Sequence, residues 1–298
     1  MPACCKDGRL PAVDFHQHLW PEPFIAALGG RSEPPLLRGG TLELASERPH
    51  EVDLEAHRLD ERLRSLDEAG IDVAVVSCQP TLGIERLPAD ERRELFDAYH
   101  EGILELAAAS DGRIRPLAAE AVVEGTVGAC VAADRLAGGV PEVDALFDEL
   151  DSRDGVVFVH PGPAQEREGD PPWWPAVVDY TAQMQAAYAA WLARGLERWP
   201  RVRIVFAILA GGGPIQLERL RSRGVDIRST LSPNVFFEAS SYGRRAFELA
   251  FATYGVSQLV YGSDAPVIDQ QLTLREVQTF GDACANAVVR DNPTKLLS

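Results

Sequence analysis

The sequence predicts an α/β chain folded as a single (β/α)8 TIM barrel. Short apolar, β-branched runs alternate with longer amphipathic stretches, the order expected of a parallel sheet wrapped in helices. About eight such runs can be counted. A length of 298 residues suits one closed barrel. No linker, repeat or low-complexity tract divides the chain, so residues 1–298 read as one domain.

The first strand lies in Ala12–Trp20 (AVDFHQHLW), and residues i and i+2 of a strand share a face. His16 and His18 therefore project side by side, and two neutral imidazoles held this way make half of a metal site. The plain alternative is a pair of surface loop histidines. A polar segment follows, with Gly29-Gly30, Pro34-Pro35 and Gly39-Gly40. A loop this long is usually functional or disordered, and residues 21–53 are expected to cover the active site. A helix over Leu54–Ala69 stops at Gly70.

Ile71–Cys78 is a doubly buried strand, followed by a loop and a helix over Ala89–Ala109. Strands are expected within Arg113–Val122 and, most weakly, in Val127–Ala133, with a helix near Val143–Leu150. Gly155–His160 is the fifth strand, with His160 at its C-terminal edge. A long helix from about Pro175 to Trp199 leads to the sixth strand, Val202–Leu209, and to Gly211-Gly212-Gly213-Pro214. Val235–Ala239 and Gln258–Ser263 are the last strands, and Asp264 stands at the tip of the eighth.

A net charge of −16 and a pI near 4.8 argue against nucleic acid and anionic membrane as partners and say little about a small-molecule substrate, the partner expected here, because a buried site makes its own local field. No apolar stretch is long enough to span a bilayer, and the N-terminus lacks a signal-peptide pattern. The five cysteines are irregularly spaced, with Cys78 and Cys130 in apolar runs as core fillers, so a reducing, cytoplasmic setting is expected.

Active sites of such barrels sit at the C-terminal ends of the strands, where His16, His18, His160 and Asp264 all fall. Three imidazoles and a carboxylate suit one divalent metal ion, Zn2+ or alternatively Mn2+. His50, His57 and His100 fall in the long loop and on helices, where a solvated role is expected. Candidate substrate-binding residues are Arg31 in the long loop, Glu120 at a strand end, Trp173 and Trp174 after the fifth strand, and Tyr242 after the seventh. Each also has a structural reading: a solvated loop arginine, rim packing, or support of the site. Gly211–Gly213 reads equally as an anion-receiving helix start or as close packing.

The motifs D-F-H-Q-H, V-F-V-H-P, F-A-x-L-A-G-G and Y-G-S-D-A-P together resemble the amidohydrolase superfamily, from about Val13 to Leu297. The branch they resemble is that of aminocarboxymuconate-semialdehyde decarboxylase. The resemblance implies His16, His18, His160 and Asp264 as metal ligands. It makes Asp264 the catalytic residue, accepting a proton from the water that the metal activates. Many relatives carry a histidine on the sixth strand where this chain has Ile208. Lysine occurs only at Lys6 and Lys295, so a lysine-bridged dinuclear site is not expected.

Hydrolysis of an amide, lactone or ester-like bond does not need a histidine at 208 and is the leading expectation. The alternative is non-oxidative decarboxylation of an unsaturated or aromatic acid, and the third reading is a barrel that binds without catalysing. A homodimer is expected by analogy with relatives.

Overall fold

The computed structural model describes residues 9–227 and 231–298. Cys4, Cys5 and Lys6 lie outside the described residues. The apolar runs become short strands, nearly all buried on both faces, as befits strands with helices outside and a packed interior within. In chain order they are β1 Val13–His18, β5 Val73–Ser77, β6 Ile114–Pro116 with β7 Ala118–Ala119, β8 Ala129–Ala132 and β9 Val156–His160. β10 Arg203–Phe206, β11 Val235–Glu238 and β12 Leu259–Val260 complete the set. β6 and β7 are two halves of one strand, interrupted at Leu117.

All these neighbours pair in parallel: β1 with β5, β5 with β6, and then β7 through β12 in order. Hydrogen bonds join the two sheets into a ring. Val127 N–H donates to Pro116 O and Ala118 N–H to Gly128 O, both at 2.9 Å, carrying the β6–β7 strand onto β8. On the far side, Phe15 N–H donates to Tyr261 O at 2.9 Å, Asp264 N–H to His16 O at 2.8 Å, and His18 N–H to Ala265 O at 2.8 Å. The eight expected strands therefore form the closed (β/α)8 barrel, the weakly expected Val127–Ala133 run included.

The helices also match: α2 Leu59–Ala69, α3 Ala89–Ala109, α5 Pro141–Asp151 and α6 Tyr180–Ala190 cover the expected positions, joined by the shorter α4 Ala133–Gly138 and α7 Leu196–Arg198 and by α8 Ile208–Ser222 after β10. α2 stops where Gly70 turns left-handed, at φ +68°. The run around α6 includes wider turns at Pro175–Asp179 and Trp191–Gly195.

Residues 21–53 are not a bare loop. They hold α1 Glu22–Gly29 and a small antiparallel sheet of β2 Leu36–Arg38, β3 Thr41–Glu43 and β4 His50–Glu51. Phe24 and Leu28, one helical turn apart, are buried, as are Leu36, Leu37 and Leu42. Gly39 and Gly40 form the tight β2–β3 turn with φ of +58° and +92°, values that favour glycine. The apolar residues of this segment, spread thinly among Pro, Gly and charge, hid these elements in the sequence.

α3 packs on the start of α1 with almost no gap. A Cβ at Gly102 would meet the ring carbons of Pro21 at 2.6 and 2.8 Å. Proline rings cannot swing aside, so Gly102→Ala is expected to destabilise the fold by about 1–3 kcal/mol, read as a lower urea midpoint at unchanged slope.

Candidate metal centre

β1 ends with His16 and His18, β9 ends with His160, and Asp264 follows β12; one potential ligand atom from each lies within 4.8 Å of all the others. His16 Nε2 is 3.3 Å from His18 Nε2 and 3.5 Å from Asp264 Oδ1, which is 3.2 Å from His18 Nε2. The three rings stand nearly perpendicular to one another, with centroids 5.0–5.1 Å apart.

The opposite edge of each ring is engaged. His16 Nδ1 lies 2.9 Å from Glu238 Oε2, His18 Nδ1 3.2 Å from Ser77 O, and His160 Nδ1 2.9 Å from Pro161 O. Carbonyls and carboxylates only accept, so these partners place each ring proton on Nδ1 and turn the Nε2 lone pairs inward. The donor set fits a divalent cation: three imidazole nitrogens and one carboxylate oxygen converge from separate strand ends.

The field at this point is negative. Burial opposes charge on His16, but Glu238 and Asp264 outweigh it and lift its pKa to about 9. Burial holds His18 below its ordinary value and His160 well below, the neighbouring histidines adding to the latter. Burial resists ionisation of Asp264, yet the three imidazoles keep its carboxyl below the usual range.

Glu238 was missed in the sequence. It is fully buried at the end of β11, and besides His16 it accepts Ile208 N–H at 3.3 Å, Ser240 Oγ–H at 3.1 Å and the Ser240 amide. The signal was present as one acid in the apolar strand VFFEA. Arg62 of α2 was missed too. Its buried guanidinium donates to Gln17 Oε1 at 2.7 Å and His18 O at 3.0 Å, bracing the end of β1.

A cavity of about 770 Å³ opens over the cluster. Ile208, Leu209, Ile215, Leu249, Val267 and Ile268 form much of its apolar wall. Among the described residues that line it, Asp264 is the one carboxyl group and Arg245 the one arginine. Residues 208–212 run left-handed, with φ from +44° to +90°. Such a turn costs about 1–2 kcal/mol for each non-glycine residue. Gln185 Nε2–H holds it through Gly211 O at 2.5 Å, as does Glu238 through Ile208. Close packing accounts for the glycines: a Cβ at Gly211 would meet Thr181 O at 2.2 Å, and one at Gly213 the Tyr254 hydroxyl at 2.6 Å.

Of the expected substrate-binding residues, Tyr242 lines the cavity and the others do not. Arg31 donates to Pro35 O at 2.8 Å and pairs with Glu91 at 3.0 Å, tying the long first segment to α3. Trp173 is 55% exposed and stacks at a tilt on Trp174 at the rim, while Ala176 and Val177 reach the cavity instead. Glu120 is largely buried and pairs with Arg135 at 2.9 Å, lining a small separate pocket that Glu85 also lines. No residue of 21–53 lines the cavity. That segment instead grips the loop after β9: Ser46 Oγ–H donates to Ala164 O at 2.6 Å, and Arg48 pairs with Glu166. His57, expected in solvent, is buried against Trp20 with its pKa pressed to about 3 by burial, and His100 is half-buried.

Fold and site together define a (β/α)8-barrel protein with a candidate mononuclear metal centre at the C-terminal rim. A family model described as amidohydrolase matches residues 13–298, and the chain belongs to the amidohydrolase family. No curated protein matches it significantly in sequence. Among solved structures it is similar to IDCase of Metarhizium anisopliae (18% identity, TM-score 0.81, covering 96% of this chain and 97% of that one). It is similar to 5-carboxyvanillate decarboxylase of Sphingomonas paucimobilis (16%, 0.74, 97% and 99%). It also resembles a dihydroxybenzoic acid decarboxylase of Polaromonas sp. JS666 with bound manganese and the inhibitor 2-nitroresorcinol (15%, 0.70, 97% and 97%). At these identities the likeness is one of fold.

Two outcomes are expected. Glu238→Gln weakens the hold on His16 Nδ1 and lowers affinity for Zn2+ or Mn2+ about 10- to 100-fold in competition with a chelator. Glu85 has its pKa lifted from 4.5 to about 7, by burial first and then by Glu120 and Asp134. The folded state therefore binds more protons than the unfolded one between those values. Stability falls as pH rises through that window, by on the order of 3 kcal/mol in all. Glu85→Gln flattens this slope in urea titrations at pH 4.5 and pH 7.5.

Proposed function

We propose that this chain is a metal-dependent, non-oxidative decarboxylase of a small unsaturated or aromatic carboxylic acid. The observation that carries the reading is one cavity whose floor is a convergent cation-binding cluster and whose walls are largely apolar. The decarboxylases among its structural relatives support this reading over hydrolysis. So does Arg245, a cation on the cavity wall with no carboxylate partner among the described residues, in a protein of net charge −16. Its neighbour Arg244 is paired with Glu248 at 2.9 Å. Arg245 also sits in the first turn of α9 Arg244–Tyr254, where the helix dipole disfavours a cation, and an acidic substrate would relieve both positive charges.

His16, His18, His160 and Asp264 would hold the cation, Zn2+ or Mn2+. When bound, it supplies a Lewis acid that orients the substrate's oxygens and stabilises negative charge left by departing CO2. The chain does the rest. Ile208 and Leu209 present alkyl groups beside the cluster, and an apolar wall would favour neutral CO2 over the carboxylate it leaves. Asp264, the one carboxyl group among the described cavity-lining residues, is ionised beside the imidazoles, so it would take a proton from solvent and pass it to the carbon that CO2 leaves. Hydrolysis of an ester-like bond is the second reading, favoured by Ile208 where relatives carry a histidine.

The test is elemental analysis paired with CO2 release from a panel of aromatic and unsaturated acids. One metal ion per chain is expected, lost together with activity on chelation and restored by Zn2+ or Mn2+. Asp264→Asn is expected to lower the rate by about 10²- to 10⁴-fold. Full metal content in His160→Ala would refute the ligand set, and release of alcohol or amine without CO2 would favour hydrolysis.

A further inference from the structure

Tyr180 and Gln79 both line the cavity, and each has part of its hydrogen-bonding capacity spent on a group behind the wall. The Tyr180 hydroxyl donates to Glu47 Oε2 at 3.0 Å. Glu47 is itself held: its side chain is 2% exposed, and Oε1 accepts the Ala164 N–H at 3.0 Å. Burial, and then Glu47, push the Tyr180 pKa above its usual value, so the phenol keeps its proton. A phenol has one proton, and here it points at the carboxylate. Only the oxygen's lone pairs remain for the cavity.

Gln79 is fixed with the opposite polarity. The indole N–H of Trp20, which can only donate, lies 2.7 Å from Gln79 Oε1. The amide oxygen is thus turned toward Trp20, and the NH2 group is left for the cavity. Gln185, by contrast, has both ends occupied, donating to Gly211 O and accepting from Gln216 Nε2 at 3.4 Å. Residues that never touch a ligand therefore set which polar ends face it.

We infer that the Glu47–Tyr180 pair is a specificity device that demands a hydrogen-bond donor, a hydroxyl or N–H, on the substrate, and that Gln79 takes an acceptor. The inference rests on the carboxylic-acid reading above and adds to it the polarity of a second substituent. A substrate with an ether oxygen in place of the hydroxyl would set lone pair against lone pair in a half-buried place, leaving Tyr180 unsatisfied. Glu47 is a positioning residue in this scheme. It also explains why the segment after β3 grips the β9 loop, since the same carboxylate fixes Ala164 and Tyr180.

The experiment is calorimetric titration of manganese-loaded protein with the ortho, meta and para hydroxybenzoates and the matching methoxybenzoates. At least one hydroxy acid is expected to bind about tenfold or more tightly than its methoxy partner. Tyr180→Phe closes that gap to within about twofold without weakening the methoxy acid. Glu47→Gln, whose amide can donate to the phenol oxygen and release its proton, narrows the gap although Tyr180 remains. Equal binding within every pair overturns the inference, as does a gap that survives Tyr180→Phe or stays as wide in Glu47→Gln. Should Glu47→Gln fail to fold, the wild-type and Tyr180→Phe titrations decide alone. If no acid of either series binds, the carboxylic-acid reading itself falls, an outcome distinct from equal binding.

Discussion

The site depends on the seam where the barrel closes. β1 carries His16 and His18, and the segment after β12 carries Asp264, so three of the four converging side chains stand on the two sides of one join. Backbone bonds from Phe15, His18 and Asp264 zip that join. Asp14 reinforces it from within, accepting Ser263 N–H at 3.0 Å and Gln17 Nε2–H at 2.7 Å. Burial raises the Asp14 pKa above its ordinary value, the cost of placing a carboxyl where no water reaches. Arg62 answers it from the helix layer, its own pKa lowered to about 10 by the same burial, with Asp14 acting against the shift. A buried acid and a buried base on the seam are weak evidence for stability. Their geometry fits a different role, fixing how far β1 slides against the last strand and hence where the imidazoles meet the carboxylate.

The fold was legible because its signals are local. Buried parallel strands read as continuous apolar runs, and all eight runs became strands of the ring. The metal cluster was legible for a related reason: histidines and an acid at strand C-termini must share one rim once the ring closes. What supports the cluster was not legible. Glu238 orients His16 from a position 222 residues away, and nothing local distinguishes an acid that faces an imidazole from one that faces solvent. Glu120 shows the converse. It follows the end of β7 much as His160 ends β9, yet its backbone is left-handed (φ +45°) and its carboxylate pairs with Arg135 away from the cluster. Arg31, Trp173 and Trp174 were plausible by type, but loop side chains are placed by tertiary packing that spacing cannot supply.

Position 208 joins the electrostatics of the floor to the backbone of the wall. Glu238 accepts from His16 with one oxygen and from the Ile208 amide with the same oxygen, so the carboxylate that orients an imidazole also pins the first residue of a left-handed turn. Non-glycine residues in that conformation persist only where their surroundings over-determine them. Here the surroundings are Glu238 on one side and Gln185 on the other. The turn sets the Ile208 side chain on the cavity wall and makes an alkyl group the neighbour of the cluster.

An alkyl group there alters more than the count of titratable residues. An imidazole would bring a hydrogen-bonding group that holds water, whereas isoleucine offers water no partner beside the charges of the floor. In the decarboxylase reading proposed above, an apolar wall would favour CO2 over a carboxylate that cannot reach the cation, and Asp264, the only carboxyl among the described lining residues, would relay the proton. The same exchange removes a donor from the cavity and raises the weight of the polar groups that remain. Of these, Tyr180 and Gln79 have their polarity fixed from behind by Glu47 and Trp20. Such fixed orientations bear on what can bind, because a polar group that a ligand covers without matching loses its water and gains nothing in return.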